Sequence, residues 1–275
     1  MRINVADLRS CTKFMGYWQS FKHFSLMAIA ATTVTLSTSL AVDAKTPDTA
    51  PAALTALLTD LDTAANNHEL ETLLRFYSPN FQHSDGFDKA EYSTMLADLW
   101  ADSPRISYQT KLLSWDKDGD RLIAETETTV QGIQKKDGRW SHLRSTVRAQ
   151  QTFENNQLIA QKILAESSQL NSGDNPPAVD VLIPETVKPK ENFGFDVIVK
   201  DPLGDEVLLG GATEEMISPT TYSTPEEFKL DILPAGGLFK RVEAPEETGD
   251  VWYSAIIVRS DGLTLISHRV KVQDS

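Results

Sequence analysis

The fold of the first half of this chain is decided by the stretch Phe76-Tyr-Ser-Pro-Asn-Phe-Gln-His-Ser-Asp-Gly-Phe-Asp-Lys-Ala-Glu-Tyr92. It lies between two amphipathic helical patterns and precedes four runs that are typical of strands. Ser78-Pro79 ends the helix before it, because the residue that precedes a proline disfavours helical backbone. Asp88 and Glu91 have the spacing of a capping box, which predicts that a new helix begins there. The stretch is therefore predicted to cross from one helix to the next.

Outward from this stretch, the period of the apolar residues predicts three helices followed by four strands. The helices begin at Ala52, Leu70 and Asp88. From Ile106 the apolar period changes from that of a helix to that of a strand. Hairpin signals at Asp118-Gly119 and Asp137-Gly138 and a turn at Asn155-Asn156 separate the strands. After the first run at Ile106, the predicted strands cover 121–134, 139–154 and 157–169.

This order of elements, with the quoted crossing segment, resembles the nuclear transport factor 2-like (SnoaL-like) α+β cone over residues 52–170. The resemblance implies three helices on a strongly bent antiparallel sheet. It also implies a pocket-forming fold that serves isomerases, cyclases, binding modules and dimerisation domains. It rests on the pattern and the crossing segment, without an invariant catalytic signature.

Four residues are predicted to lie around the mouth of the cone: Tyr77, His83, Asp85 and Asp88. The candidates for a ligand pocket are the first three of these and Tyr92. In enzymes that resemble ketosteroid isomerase, a carboxylate moves a proton while a tyrosine or a protonated acid stabilises the oxyanion. His83 and Asp85 are therefore the candidate catalytic residues. The alternatives are an ordinary loop histidine, a turn at Asp85-Gly86, and a helix cap at Asp88.

Two of the predicted strands place no Asp or Glu towards the helices. Their inward positions are predicted to be Leu122, Ala124, Thr126, Thr128 and Val130 on one strand, and Leu143, Val147, Ala149 and Phe153 on the other. A proton-transfer enzyme of the isomerase kind would need an inward carboxylate. We therefore favour a non-catalytic protein that holds a small apolar ligand or dimerises. An isomerase, cyclase or dehydratase acting on a small hydrophobic substrate is the alternative.

The outward face of the same sheet is predicted to carry a basic and aromatic row, formed by Trp140, His142, Arg144 and Arg148. Cones of this family often pair through that face. A homodimer is one interpretation, in which the row contacts Glu125 and Glu127 of a second copy or the row contacts another partner. A solvated face and a site for an anionic ligand are the alternatives.

The second half of the chain is predicted to be all-β. Residues 171–177 have the composition of a linker. Seven short strands separated by Pro, Gly and Asp turns then indicate an Ig-like β-sandwich over 178–275. A polysaccharide-binding function would need a row of exposed aromatic residues. Trp252 and Tyr253 alternate on one strand, so at most one of them could be exposed. The predicted strands are Val179–Ile183, Asn192–Val199, Glu206–Gly210, Lys229–Leu233, Leu238–Val242, Val251–Val258 and Leu263–Val272.

The charge and the cysteine content exclude several functions. A net charge of −13 argues against nucleic acid and against an anionic membrane surface. The one cysteine is Cys11, so no disulfide and no thiolate site is predicted in the mature chain. The acidic series at 116–120 lacks the glycine of a calcium loop and is better explained as a hairpin. No metal and no cofactor is predicted.

The N-terminus has the pattern of an export signal over residues 1–44, followed by a polar leader over 45–51. Val42-Asp-Ala44 fits a cleavage site, an uncleaved anchor is the alternative, and Met15 is a second candidate start. The sequence therefore predicts an exported protein of the periplasm or an equivalent compartment. A protein of the cell envelope is the expected partner of the sandwich.

Overall fold

The computed structural model of the protein describes residues 44–136, 138–200, 207–233 and 236–274. The predicted signal, with Cys11 and Met15, lies outside the described residues apart from Ala44. Within the described part of the chain, no helix is long and apolar enough to cross a membrane. The chain divides into two compact units. Among the described residues, we call 44–134 with 143–167 the α+β unit, and 135–142 with 168–274 the β unit.

The α+β unit contains the three predicted helices. After a short 3₁₀ turn at Pro47–Thr49, they are α1 (Ala52–Asn66), α2 (Leu70–Arg75) and α3 (Lys89–Asp102). The predicted capping box of α3 is confirmed. Asp88 Oδ1 accepts hydrogen bonds from the backbone N–H groups of Ala90 and Glu91 at 2.8 and 2.9 Å, and the Asp88 N–H donates to the Glu91 carboxylate at 3.0 Å. Asp88 is therefore a helix cap.

The sheet of this unit contains the predicted strands and one that the sequence missed. The strands run in the order β5-β4-β3-β2, and β1 pairs in parallel with β5. Strand β1 occupies the stretch predicted to be only a crossing between helices. Pro79 is tolerated there because β1 lies at an edge, where a missing N–H breaks no ladder bond. The bounds are β1 (Tyr77–His83), β2 (Ile106–Asp118), β3 (Arg121–Lys136), β4 (Arg139–Glu154) and β5 (Gln157–Gly173).

Two polar side chains of α1 bond the backbone of β2, which is an edge strand. The Thr110 N–H donates to Asp62 at 2.7 Å, and the Tyr108 N–H donates to Asn66 at 2.8 Å. Asn66 also donates to the Tyr108 carbonyl at 2.9 Å. Unpaired edge groups invite pairing with other chains, and these bonds satisfy part of the edge within the unit.

The β unit contains strands close to most of those predicted, with one clear displacement. The sequence predicted a strand at Glu206–Gly210, but β9 begins at Leu209 and continues to Met216. Its register against β12 explains the difference, because the pairing runs from Leu209 with Val258 to Met216 with Val251. Strand β7 and helix α4 were not predicted. The bounds are β6 (Val179–Leu182), β7 (Thr186–Val187), β8 (Asn192–Val199), β9 (Leu209–Met216), α4 (Pro219–Ser223), β10 (Asp231–Ile232), β11 (Gly237–Glu243), β12 (Gly249–Arg259) and β13 (Gly262–Val272).

Two sheets of the β unit share one hydrophobic core. One sheet has the order β10-β9-β12-β13, with β7 parallel to β13, and the other has the order β11-β8-β6. Phe193 and Phe195 of β8 contact the Tyr253 ring edge-on, at centroid distances of 5.3 and 6.0 Å. Trp252 and Tyr253 are both buried, so this strand presents no aromatic row to a polysaccharide.

Candidate functional site

Phe81 lies at the centre of a buried aromatic cluster in the α+β unit. Its ring centroid lies 4.8 Å from that of Tyr77, 5.8 Å from that of Tyr92 and 5.9 Å from that of His83. Tyr77, Phe81 and His83 are the buried members of β1, and Tyr92 comes from the first turns of α3. Three of the four predicted pocket residues thus surround one phenylalanine. We call these four side chains the Phe81 cluster: Tyr77, Phe81, His83 and Tyr92.

Two tyrosine hydroxyls of the Phe81 cluster form a hydrogen-bonded pair. The Tyr77 hydroxyl donates to the Tyr92 hydroxyl at 2.9 Å. Burial raises the pKa of both phenols, so both keep their protons at neutral pH. Among the residues that the structure describes, none accepts the Tyr92 hydroxyl proton. The Tyr92 hydroxyl is therefore a buried donor that can still form a hydrogen bond to another oxygen.

His83 and Asp85 are adjacent in a turn at the end of β1, and each is 1% exposed. The Asp85 N–H donates to His83 Nδ1 in a long bond of 3.4 Å. The predicted turn at Asp85-Gly86 is confirmed, because the Gly86 N–H donates to the His83 carbonyl at 3.1 Å and Gly86 has a φ of 106°. The turn holds both side chains away from solvent.

A second aromatic group in this unit was not predicted as a site. The Trp100 indole N–H donates to the Tyr108 hydroxyl at 2.9 Å, and burial raises the pKa of Tyr108. The His68 ring stacks on Trp100 at a centroid distance of 4.9 Å. In the sequence Trp100 and Tyr108 are only members of a helix and a strand pattern, and His68 lies between two helices. Their contacts join elements that are distant along the chain, so no local pattern indicates them.

Glu166 on β5 is a buried carboxyl group that the sequence reasoning missed. It is 5% exposed. The prediction of no inward carboxylate was drawn from β3 and β4, where Ala124, Thr126 and Val130 are indeed buried. The available signal was an acidic residue within the last strand-like run of the unit, at 157–169. The fold therefore holds a buried acid within the sheet.

The residues predicted to form a dimer interface have contacts within the chain. Arg148 is exposed, and its Nε donates to the Glu125 carboxylate at 2.7 Å. Trp140 is 43% exposed, and the Lys135 ammonium lies 5.2 Å from its ring centroid. His142 and Arg144 are exposed. The predicted partner of Arg148 was Glu125 of a second copy, and the structure places the Glu125 of the same chain there.

The acidic series at 116–120 forms a hairpin between β2 and β3. Asp118 pairs with Arg121, and Gly119 has a φ of 59°. The Asp116 carboxylate lies 3.5 Å from the Lys45 ammonium. Throughout the described ranges, no group of three or more His, Cys, Asp and Glu residues is arranged to hold a metal ion.

Residues 174–273 match a sequence family described as a domain of unknown function (DUF8623). No curated protein sequence matches the chain. A solved structure from Bdellovibrio bacteriovorus is similar at 16% identity and a TM-score of 0.31, over 40% of this chain and 38% of that one. The match thus spans well under half of the length of that protein.

Two further solved structures are similar over a comparable share of this chain. An M. tuberculosis epoxide hydrolase has 13% identity and a TM-score of 0.30, over 39% of this chain and 78% of its own. A hypothetical protein of Catenulispora acidiphila with a ketosteroid isomerase-like fold has 11% identity and a TM-score of 0.29, over 43% and 85%. Two other matches are provisionally assigned as polyketide cyclases, and one of these is described as SnoaL-like. At these TM-scores the likeness carries no argument about activity.

Proposed function

We propose that the α+β unit is a nuclear transport factor 2-like (SnoaL-like) module that binds a small, mainly apolar ligand at the Phe81 cluster. The observation that carries this proposal is the Tyr92 hydroxyl proton, which is buried and which no described residue accepts. A ligand oxygen placed beside Tyr92 would accept a hydrogen bond from its hydroxyl, while the surrounding rings contact the apolar part of the ligand. The unit acts as a binding module, without chemistry.

The composition of the cluster supports a ligand more than a purely structural core. The Tyr92 hydroxyl accepts a hydrogen bond from Tyr77, but its own O–H is not used as a donor to any described residue. Leaving a buried donor unused costs about 1–3 kcal/mol, so a purely structural core would use phenylalanine at one of the two positions. A few convergent polar groups among aromatic side chains are the usual composition of a small-molecule site. His83 and Asp85 add further polar groups on the same strand and turn as Tyr77 and Phe81.

The proposal includes export to the periplasm or an equivalent compartment. The basis is the signal-like pattern of residues 1–44 and the cysteine-free remainder of the sequence. The β unit, as an Ig-like sandwich, would then engage a protein of the cell envelope. Its support is the core shared by two sheets, including Phe195, Val197 and Ile257.

We expect Tyr92→Phe to weaken the binding of 4-nitrophenol about tenfold. This probe offers an aromatic ring to Phe81 and an oxygen to the Tyr92 hydroxyl, and the lost hydrogen bond is worth about 1.4 kcal/mol. Absorbance titration of the purified protein measures the affinity. Tyr77→Phe keeps the Tyr92 proton and is expected to weaken binding less.

The exposed Trp140 supplies the control for this titration. Trp140→Phe retains an aromatic surface residue and should leave the affinity unchanged. If wild-type protein fails to bind 4-nitrophenol, or if Trp140→Phe and Tyr92→Phe weaken its binding equally, the proposal of a ligand site at the Phe81 cluster is wrong.

An enzyme is the second candidate, and the burial of His83, Asp85 and Glu166 is the observation that favours it. Buried imidazole and carboxyl groups are the groups that move protons in isomerases and dehydratases. If the site is catalytic, wild-type protein should exchange the α-protons of cyclohexanone for deuterium in D₂O, followed by NMR. His83→Ala should then retain 4-nitrophenol binding and lose the exchange. Equal exchange in both proteins would exclude His83 as the base. If the wild type catalyses no exchange, the enzyme hypothesis is wrong and only the binding function remains.

A further inference from the structure

The outward face of the three-stranded sheet in the β unit carries an exposed apolar row with one acid in it. The register pairs Asp196 of β8 with Leu182 of β6 on one side and with Phe239 of β11 on the other. Paired residues of antiparallel strands point to the same face of a sheet. Leu182 is 57% exposed and Phe239 is 56% exposed, while Asp196 is half-buried between them. Two large apolar side chains thus flank a carboxylate.

A cation lies beside this row on the same face. Arg241 follows Phe239 by two residues on β11 and is paired with Gly194 on β8. A Cβ atom built on Gly194 would have only the Asp196 carboxylate within 4 Å, at 3.8 Å and 4.0 Å, so the space above it is open. Arg241 therefore borders a shallow notch next to Asp196.

Neither of these two charges is neutralised within the described chain. Asp196 and Arg241 form no ion pair or hydrogen bond through their side chains with any described residue. Other surface charges of this unit do pair: Lys200 lies 2.6 Å from Asp180, and Lys190 lies 2.7 Å from Glu246. The carboxylate of Asp196 and the guanidinium of Arg241 can therefore pair with charges of another molecule.

Within the described chain, this exposed apolar row carries the unpaired anion Asp196 and borders the unpaired cation Arg241, and the exposed Glu243 follows Arg241 by two residues on the same face, so charges of both signs are presented to a second copy. A two-fold axis brings the same surface of two copies together, so each charge meets the opposite charge of the other copy. We propose that two copies of this protein pair through this face. The Asp196 of each copy binds the Arg241 of the other, and Leu182 and Phe239 pack between the two ion pairs. This surface differs from the row at 140–148 that the sequence indicated for pairing.

Charge reversal tests the pairing with variants that complement each other. Asp196→Arg alone and Arg241→Asp alone each set like charges against one another across the axis, so each should be monomeric in sedimentation equilibrium. In an equimolar mixture the first variant presents two cations and the second presents two anions, so a mixed dimer restores both ion pairs. We expect the wild type and the mixture to be dimeric. Unchanged far-UV circular dichroism establishes that both variants are folded.

Arg148→Glu is the matched control, because it reverses an exposed charge on the other proposed surface. It should leave the dimer intact. A monomeric wild type, a mixture that stays monomeric, or a dimer lost in Arg148→Glu and kept in Asp196→Arg would each overturn the proposal.

Discussion

Replacing Trp252 with alanine is expected to lower the free energy of unfolding of the β unit by about 3–5 kcal/mol, the usual cost of truncating a buried aromatic residue. Trp252 is 1% exposed, and the Tyr222 ring contacts it edge-on at a centroid distance of 4.6 Å. In the sheet it lies between Glu215 and Arg269, both of which are buried. Removal of the indole therefore leaves a cavity beside two buried charged side chains.

Amide hydrogen exchange of β12 and β13 measures this loss, because these strands open only when the core of the unit opens. Trp140→Ala is the matched control, since that tryptophan is largely exposed. It should cost under about 1 kcal/mol. Equal costs for the two tryptophans would contradict the burial that the structure assigns to Trp252.

Acidification from pH 6.5 to 4 is expected to destabilise the β unit through His268 by about 3 kcal/mol, at 1.36 kcal/mol for each pKa unit. Burial lowers the pKa of His268 from 6.5 to about 4. Between these values the unfolded chain binds a proton that the folded chain does not, so stability falls as the pH falls. Below pH 4 both states are protonated, and this contribution changes no further.

Two titratable residues lie on the β12 side of His268 in the sheet. Tyr253 lies opposite it on β12, and burial raises the pKa of that phenol, so it stays neutral in this range. Glu214 lies one strand further, on β9. Its pKa is raised by burial, so it also loses charge on acidification.

Urea denaturation of wild type and His268→Gln at several pH values isolates this contribution, because the carboxylates titrate alike in both proteins. The free energy of unfolding of the wild type should fall relative to that of His268→Gln as the pH falls from 6.5 to 4. His142→Gln, at an exposed position, should follow the wild type. A constant difference for His268→Gln across this range would show that the imidazole titrates normally in the folded unit.

The helices and the hairpins could be predicted because their signals are local. The stripe of α1, from Leu54 to Ala65, is buried as its period predicts. Asp88 caps α3 through bonds to its own first turn. Asn66 shows the limit of such signals. Its side chain bonds the backbone of Tyr108, which is distant along the chain, and no local pattern indicates that contact.

The elements that were missed depend on partners far away in the sequence. Strand β1 forms because Tyr77 and His83 pair with Leu158 and Gln161 of β5. Strand β9 passes through Gly210 and Gly211, which weaken a strand pattern. Gly211 is nevertheless required, because a Cβ there would lie 2.3 Å from the Lys229 carbonyl oxygen.

The candidate site could be predicted in its members and only partly in its geometry. Tyr77, His83, Asp85 and Tyr92 were selected from one stretch of sequence, and the structure buries all four. The role of Phe81 as the centre of the cluster and the buried Glu166 were not foreseen. Phe81 was missed because β1 was not predicted to be a strand, and Glu166 was missed because the inward faces were assigned only on β3 and β4.

Native mass spectrometry of the protein isolated from its own source tests binding at the Phe81 cluster most directly. We expect the wild type to carry a small molecule that is released on denaturation, and Phe81→Trp, which fills the cluster with a larger ring, to carry none. Trp140→Phe should retain the molecule. A wild-type protein that has only the mass of its chain, together with no binding of 4-nitrophenol, would contradict a ligand-binding function for the α+β unit.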